Sequence, residues 1–473
     1  MVPLKPGYPV PARPALPAAS NFFKTMLRLP LALALILTTA ALHADNWANW
    51  RGPLHNGSSP EKGLPEKFSK TEGVKWATAL PGSSAATPVI WGDLVFATAA
   101  DAKTNKQSAL CLDRQSGQVR WQSEVSEFTT DGQYSNTCSP SPVTDGKLVV
   151  FFFGTGDLVG FEVGGKRLWE RNLGPFAFQW TFAASPLLHK GRLIMQVLQR
   201  DVAVRGRGKQ PTGNESYLLA IDPVTGKDLW RSVRPSEAVA ESREAYSTPL
   251  PFVHAGRPEL VVVGGDCITG HDDTTGRELW RWGTWNPTKI GHWRLVPSVT
   301  AGAGVLLACG PKGAPVYAVK AGGSGTLSHK GLAWQSHVQP TEDAAEAAPS
   351  PNERDVTSDV PTPLFYEGRF YVLNGTKRKL YCLNPADGAV VWSGDLGGKS
   401  VFQASPTAAD GRIYVMNFDA DVSVVQAGGS EFKLLHAANF KDAGDDTRHR
   451  SSIAISQGNL YLRTGTKLYC LGR

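Results

Sequence analysis

The chain has 473 residues, of which 19% are charged, and it contains 49 glycines, 33 prolines and 14 tryptophans. This composition is typical of a turn-rich β protein and argues against a mainly helical enzyme. Four of the seven net positive charges precede residue 45, and the remainder shows no Lys/Arg stripe and no recognised nucleic-acid module. We therefore expect no nucleic-acid partner.

The first predicted element is a secretory signal in Met26–Ala44. Arg28 is followed by an apolar run from Leu29 to Leu37 and then by small residues, which is the order of a cleavable signal. An uncleaved membrane anchor is the alternative, although the run is shorter than the roughly 20 residues that span a bilayer. The preceding Pro-rich stretch suggests that translation starts at Met26.

We accordingly divide the chain into residues 1–44, an extension with its signal, and residues 45–473, a single domain. The domain is expected in the periplasm or outside the cell, with no membrane span after cleavage near Ala44.

Downstream of the signal, one phrase recurs eight times. It consists of a small residue, Ser or Thr, Pro, an apolar pair, a Gly turn and a second apolar stretch. Each copy predicts an inner strand, a tight turn and a second strand with alternating side chains. The copies begin at Ala86, Ser139, Ala184, Ser247, Val296, Pro361, Ala404 and Ser451.

A second phrase alternates with the first and reads "LLAIDPVTGKDLW" in Leu218–Trp230. Its Asp or Asn is expected to cap a turn, its Gly to adopt the left-handed conformation, and its Trp to pack against the neighbouring unit. We assign these repeat positions to Trp76, Trp121, Trp169, Trp230, Trp280, Trp334, Trp392, Asp113, Asp222, Asp272, Gly117, Gly226, Gly276 and Gly388.

The last unit ends at "KLYCLGR" without a Trp, and Val74–Leu80 ("VKWATAL") can supply the missing outer strand. The prediction is an all-β fold, an eight-bladed β-propeller of four-stranded antiparallel blades, closed by an N-terminal strand around Trp76. A closed ring leaves only short strand edges. A seven-bladed ring is the alternative. In the seventh unit we expect Leu434 or Leu435 at the Trp position.

Six cysteines are scattered along the predicted domain, with no C-x-x-C spacing. Three occupy equivalent strand positions and are expected in the core. A disulfide involving one of the other three remains open. The first group is Cys111, Cys382 and Cys470, and the second is Cys138, Cys267 and Cys309.

Segments that directly precede the eight inner strands should gather around one mouth of the central channel. They are rich in aromatic and charged residues, a combination that suits recognition. Several arginines favour an anionic or carboxylate-bearing ligand, and aromatic–Arg mixing also suits a sugar or an extended peptide. The candidate binding residues are Tyr134, Asn136, Trp180, Arg243, Tyr246, Trp293, Arg294, Asp359, Arg448, His449 and Arg450.

Two long insertions interrupt the repeat, the basic Gln199–Ser216 and the acidic Gln339–Arg354. Loops carry function disproportionately, but both insertions have the composition of solvated loops.

The second phrase, A-x-D-x-x-T-G-x-x-x-W, resembles the tryptophan-docking repeat of pyrroloquinoline-quinone (PQQ) propellers. Ala220–Trp230 matches it fully, and the Ala318–Trp334 unit is expanded. "NWANWRGPLHNG" (Asn46–Gly57) resembles the N-terminal motif of exported PQQ-like repeat proteins. The resemblance implies the propeller fold, which hosts PQQ-dependent alcohol and sugar dehydrogenases and also the non-enzymatic assembly scaffold BamB.

Dehydrogenases of this family hold Ca²⁺ with Glu, Asn and Asp oxygens and cap the quinone with adjacent cysteines, so the resemblance implies such groups if the chain is an enzyme. Here no two cysteines are adjacent, and Glu244, Asp266 and Asp359 are scattered candidates in no matching motif.

We therefore predict a non-catalytic, monomeric binding or assembly scaffold of the cell envelope, without metal or cofactor. Its partner would be an envelope or extracellular protein, or a small anionic or sugar ligand. The alternatives are a dehydrogenase that uses PQQ and Ca²⁺, and a glycan-binding propeller.

Overall fold

The computed structural model describes residues 1, 46–128, 136–210, 213–283, 285–337 and 355–473. The predicted signal, Tyr134 and the whole acidic insertion fall outside these residues. One compact unit runs from Ala44 to Arg473. Within the described ranges, none of the helices has the length and hydropathy needed to cross a membrane.

Thirty-three strands, β1–β33, form eight sheets in the described residues, which confirms the eight-bladed propeller and shows that the seven-bladed alternative is wrong. The repeat explains this fold, since each unit supplies the short strands of one blade, separated by Gly turns, and only the last blade takes its outer strand from the N-terminal side. Blade 1 contains β2 (Val89–Trp91), β3 (Leu94–Asp101), β4 (Lys106–Asp113) and β5 (Val119–Glu127), and blade 2 contains β6 (Val143–Thr144), β7 (Leu148–Phe152), β8 (Asp157–Glu162) and β9 (Arg167–Asn172). Blade 3 contains β10 (Leu187–His189), β11 (Arg192–Val197), β12 (Tyr217–Ile221) and β13 (Asp228–Val233). Blade 4 contains β14 (Leu250–His254), β15 (Arg257–Gly264), β16 (Cys267–Asp272) and β17 (Glu278–Trp282).

Blades 5 to 8 continue the same order from the inner to the outer strand. They contain β18 (Thr300–Gly302), β19 (Val305–Cys309), β20 (Val316–Lys320), β22 (Leu332–Gln335); β23 (Leu364–Tyr366), β24 (Arg369–Asn374), β25 (Lys379–Leu383), β26 (Val390–Asp395); β27 (Thr407–Ala409), β28 (Arg412–Met416), β29 (Asp421–Gln426), β30 (Leu434–Asn439); β31 (Ala454–Ser456), β32 (Asn459–Arg463), β33 (Lys467–Leu471) and β1 (Val74–Ala79). The described 3₁₀ helices are Ala240–Arg243 and His329–Gly331.

The ring closes as predicted, because β1 pairs antiparallel with β33 and places Trp76 opposite Cys470. One strand was not expected. The expanded fifth unit contributes β21 (Gly325–Thr326), which pairs in parallel with β17 and adds a fifth strand to blade 4. All six cysteines are free and buried, so the structure contains no disulfide among them.

The repeated tryptophans dock each blade on the turn of the next. The Trp169 indole donates from Nε1 to the Pro223 carbonyl at 2.8 Å. The turn itself is capped by Asp222, whose Oδ1 accepts the Val224 N–H at 2.8 Å. Gly226 has a φ of 70°, and a Cβ there would come within 2.6 Å of the Trp169 ring. Only glycine therefore satisfies both the turn and the close approach.

The same arrangement joins most other blades. Indole Nε1 bonds of 2.8–3.0 Å run from Trp76 to Arg114, from Trp121 to Val163, from Trp334 to Pro385 and from Trp392 to Gly428. The Asp113 and Asp272 carboxylates cap their turns, and Gly117, Gly276 and Gly388 have φ of 72–74°. Trp280 departs from the pattern and donates to Glu259, while the buried Trp230 Nε1 has no partner among the described residues.

The seventh unit corrects one prediction. His436, and neither Leu434 nor Leu435, occupies the Trp position, because Val424 pairs with His436 twelve residues later, whereas Ala220 pairs with Trp230 ten residues later. His436 packs edge-on against Phe68, with ring centroids 5.3 Å apart. The imidazole thus receives the N-terminal segment where other blades carry an indole.

The Ser or Thr of the first phrase joins neighbouring inner strands. In each case the hydroxyl oxygen accepts the backbone N–H of the corresponding residue one blade earlier, at 2.8–3.1 Å. These seven bonds form what we call the hydroxyl ring. They run from Thr87 to Ser141, and onwards through Ser185, Thr248, Ser298, Thr362 and Ser405 to Ser452.

Residues 46–61 cross the inner ends of several blades. Trp47 forms a β-bridge with Ile90 of blade 1, and Gly57 accepts the Ala408 N–H of blade 7. Between them, the buried Arg51 donates to the carbonyls of Pro363 and Pro406 at 3.0 and 3.1 Å. Both prolines belong to the first phrase, so one guanidinium joins two blades to this segment, which we call the crossing segment.

Candidate functional site

A cavity of about 270 Å³ lies where the inner strands begin. Its wall includes five of the predicted mouth residues and four members of the hydroxyl ring. It also includes Trp50 of the crossing segment. The predicted residues are Asn136, Trp180, Tyr246, Arg294 and Arg450, and the ring members are Ser185, Thr248, Ser405 and Ser452.

The other predicted mouth residues do not line this cavity. His449 is buried, with Nδ1 bonded to the Phe418 carbonyl and Nε2 to Asp445. Arg448 lies over the Phe418 ring. Arg243 donates to Ala238, and Trp293 packs against the core of blades 4 and 5. These four side chains therefore have structural contacts.

Arg294 is neutralised within the wall. Its guanidinium bonds both carboxylate oxygens of Asp359, at 3.2 and 3.3 Å, in the forked geometry that favours arginine. Glu241 lies 3.9 Å from its Nε and also accepts the Trp180 indole N–H at 3.2 Å. Asp359 lines an adjoining cavity and not this one.

Beneath Trp180 lies a second acidic network centred on the fully buried Glu244. It accepts hydrogen bonds from the Tyr246 hydroxyl at 2.7 Å and from the Gln179 N–H at 3.0 Å, and it pairs with Arg200. Burial raises the pKa of Glu244, and these donors oppose that shift. Glu244 therefore fixes Tyr246 and the Gln179 loop in place.

Arg200 begins the basic insertion, which we predicted to be solvated. In the structure Arg205 of the same insertion lies 5.6 Å from the Trp180 ring centroid, and Arg207 donates to the Gln179 carbonyl at 3.2 Å. The insertion therefore packs against the mouth and brings further positive charge to it.

Arg450 differs from Arg294, because no carboxylate lies within ion-pairing distance among the described residues. Its Nε donates to Gln403 Oε1 at 2.8 Å, and its guanidinium lies 5.0 Å from the Phe418 ring centroid. Burial, together with Arg448, lowers the pKa of Arg450 to about 10. The group thus remains a cation at neutral pH.

Sequence reasoning missed three parts of this wall: Trp50, Gln403 and the hydroxyls. The hydroxyls had a visible signal, since the phrase repeats Ser or Thr at one position of every inner strand. Trp50 had none, because nothing local shows that the crossing segment reaches the channel.

The resemblance implies Ca²⁺ beside the quinone if the chain is a dehydrogenase. Calcium prefers several carboxylate and carbonyl oxygens. The described lining has two guanidinium groups and no carboxylate. Glu244, Asp266 and Asp359 belong to separate networks, and the described part of the chain brings together no group of three or more acidic, His or Cys residues suited to a metal. These donors do not fit Ca²⁺.

Asp266 yields a prediction of its own. It has a φ of 61°, its Oδ2 accepts from Asn286 at 2.7 Å, and its buried Oδ1 has no partner among the described residues. Burial raises the pKa of Asp266 to about 6, above its ordinary value of 3.8. Between these pH values the folded protein holds more protons than the unfolded chain, so stability falls as the pH rises.

Asp266→Asn should therefore stabilise the protein by about 1 kcal/mol at pH 7.5, allowing for solvent screening, because Asn tolerates this conformation and carries no charge. The gain over wild type should vanish below about pH 4, where both states are protonated. Urea unfolding at both pH values, with the exposed Asp446→Asn as control, measures it. An equal gain in stability at both pH values would contradict the conclusion that the raised pKa of Asp266 destabilises the protein.

Three comparisons bear on the fold and on relatives of the chain. The family model described as outer membrane protein assembly factor BamB matches residues 68–193 and 330–471, more than half of the chain. A polyvinylalcohol dehydrogenase from a Pseudomonas species is 24% identical over 203 residues, which span 42% of this chain and 30% of that protein.

Solved structures share the fold at low sequence identity. A europium-containing methanol dehydrogenase has a TM-score of 0.65 and 11% identity, covering 91% of this chain and 98% of its own. BamB from Moraxella catarrhalis has a TM-score of 0.57 and 14% identity, covering 84% and 99%. A quinohemoprotein alcohol dehydrogenase from Comamonas testosteroni has a TM-score of 0.61 and 12% identity, covering 93% and 82%.

Proposed function

The chain belongs to the PQQ-like repeat propeller family whose model is described as outer membrane protein assembly factor BamB, and from that premise we propose that it is a non-catalytic binding scaffold of the cell envelope. The proposed binding site is the cavity at the mouth of the channel. The scaffold would be exported, and its partner would be an envelope protein or a small anionic ligand.

The observation that carries this proposal is the charge of the described cavity wall. Arg450 has no ion-pair partner there, Arg294 is already paired with Asp359, and no acidic side chain lines the cavity. A wall of this kind favours an anion and offers no general base beside a bound alcohol.

The second candidate is a quinone-dependent dehydrogenase, and the match to the polyvinylalcohol dehydrogenase favours it. Since the match covers under a third of that enzyme, its activity is a weak guide to this chain. The donor set described above also provides no place for Ca²⁺ beside a quinone.

Reconstitution separates the two functions. Purified protein should show no dye-linked oxidation of ethanol, glucose or polyvinyl alcohol after incubation with PQQ and Ca²⁺, and no increase in melting temperature specific to that pair. Affinity purification from the envelope fraction should recover a protein partner that is lost with Arg450→Gln. Dye reduction that depends on added PQQ would overturn the scaffold proposal, and binding to a glycan array would favour the sugar-binding alternative.

A further inference from the structure

The polar side chains of the cavity wall have a shared arrangement. Asn136 Oδ1 accepts the Cys138 N–H at 2.8 Å, and Gln403 Oε1 accepts the Arg450 Nε–H at 2.8 Å. Each amide oxygen thus already accepts one hydrogen bond from within the protein. The NH₂ group of each amide has no acceptor among the described residues.

The hydroxyls that line the cavity repeat this arrangement. Ser405 Oγ accepts the Thr362 N–H at 2.9 Å, and Ser452 Oγ accepts the Ser405 N–H at 3.1 Å. Neither hydroxyl hydrogen has an acceptor within the described part of the chain. Both serines are buried, at 4% and 3% exposure, so their remaining donors can be satisfied only from the cavity.

Arg450 adds the charge. Its guanidinium presents a fork of N–H groups, and such a group is stabilised when it binds a carboxylate or another oxyanion in a partly desolvated site. Taken together, the polar wall offers a ligand several unused donors and one unpaired cation among the described residues. A carboxylate, which accepts at two oxygens and donates nothing when ionised, is the complementary group.

Apolar side chains complete the wall of the cavity. Trp50, Trp180, Ala183, Val296 and Val360 supply the apolar wall. Trp50 also lines a smaller void of about 20 Å³ on the side of the crossing segment, so this residue borders both cavities. A volume of about 270 Å³ is near the lower bound of ligand pockets, which leaves room for a carboxylate and one apolar group of side-chain size.

We propose that this cavity binds a carboxylate carried on an apolar group, as found at the free C-terminus of a protein chain or in a small organic acid, with Arg450 receiving the carboxylate and Trp50 forming the floor. The inference rests on the binding role proposed above and adds the chemistry of its ligand.

The test is a pair of probes that differ only in charge. By calorimetry, N-acetyl-phenylalanine should bind the wild-type protein at least tenfold more tightly than N-acetyl-phenylalaninamide, and the difference should shrink in high salt. Equal binding of acid and amide, or no binding of either, would overturn the inference. The scaffold role is tested by different measurements, namely dehydrogenase activity and recovery of an envelope partner. It can therefore be supported or rejected independently of this result.

Variants locate the site. Arg450→Gln should weaken binding of the acid at least tenfold and leave binding of the amide unchanged. Arg448→Gln is the matched control, because Arg448 lies over the same Phe418 ring without lining the cavity, and it should change affinity less than threefold. Equal losses in both variants would contradict a specific role for Arg450.

A second pair of probes identifies the source. A pentapeptide ending in phenylalanine, with a free or an amidated terminus, should bind at least as tightly as the acetylated amino acid if the natural ligand is a protein C-terminus. A peptide that binds only more weakly assigns a free organic acid.

Discussion

Replacing Trp76 by alanine should lower the free energy of unfolding by about 3–5 kcal/mol, the range for truncating a buried tryptophan. Trp76 is 8% exposed and lies on β1, which completes blade 8. Its indole packs against Gly117 of blade 1, where a Cβ would come within 2.5 Å of the ring, and it donates to the Arg114 carbonyl at 2.8 Å. The substitution therefore removes core packing and the contact between the last and first blades.

Trp169→Ala is the matched control for this effect. Trp169 makes the same docking contact, but between blades 2 and 3, which the chain connects directly. Urea unfolding should show a loss in both variants. Hydrogen exchange should show faster opening across blades 8 and 1 only for Trp76→Ala. A loss below about 1 kcal/mol for Trp76→Ala would contradict the proposed role of β1 in closure.

Replacing Arg51 by methionine should cost about 3 kcal/mol of stability, because it leaves buried carbonyls without their charged donor. The guanidinium donates to Pro363, Pro406 and Asn56 at 2.9–3.1 Å. A Cβ on Gly57 would come within 2.0 Å of the same group, so the surrounding backbone is shaped around it.

The expected loss is measured by urea denaturation, with circular dichroism as the probe. Arg51→Lys should lose an intermediate amount, because an ammonium group keeps the charge but cannot reach both blades with a planar fork. Arg120→Met, which removes an exposed ion pair with Asp113, is the control and should unfold as wild type does. A wild-type midpoint for Arg51→Met would show that the crossing segment contributes nothing to the ring.

The repeat made most of the fold predictable, because the sequence of each unit shows which residues form its strands, its turn and its packing contact. Even the closure by Val74–Ala79 could be inferred, since the last unit lacks an outer strand. His436 could not be located by counting, because the connection between its two strands is two residues longer than the one before Trp230. The parallel strand Gly325–Thr326 also escaped prediction, since its partner belongs to another blade.

The candidate site was predictable only to the level of segments. The loops that precede inner strands do reach the channel mouth, and Arg450 and Trp180 do line the cavity. Whether a given side chain lines the cavity depends on tertiary contacts that cannot be read from the sequence. Trp293, for example, donates its backbone N–H to Ser242 Oγ, and its side chain packs against the core of blades 4 and 5. The floor residue Trp50 depends on a segment that crosses the ring from outside the repeat.

The antiparallel closure has a mechanical consequence. Val74 faces Leu471 and Ala79 faces Lys467, so Gly73 and Gly472 leave the shared sheet at the same end and are themselves joined by a hydrogen bond of 2.8 Å. Tension applied between these two glycines would break the bonds of this pair one at a time, like a zip, and would not shear them together. The strand pair that closes the ring is therefore expected to resist a force in this direction less than a force along its strands.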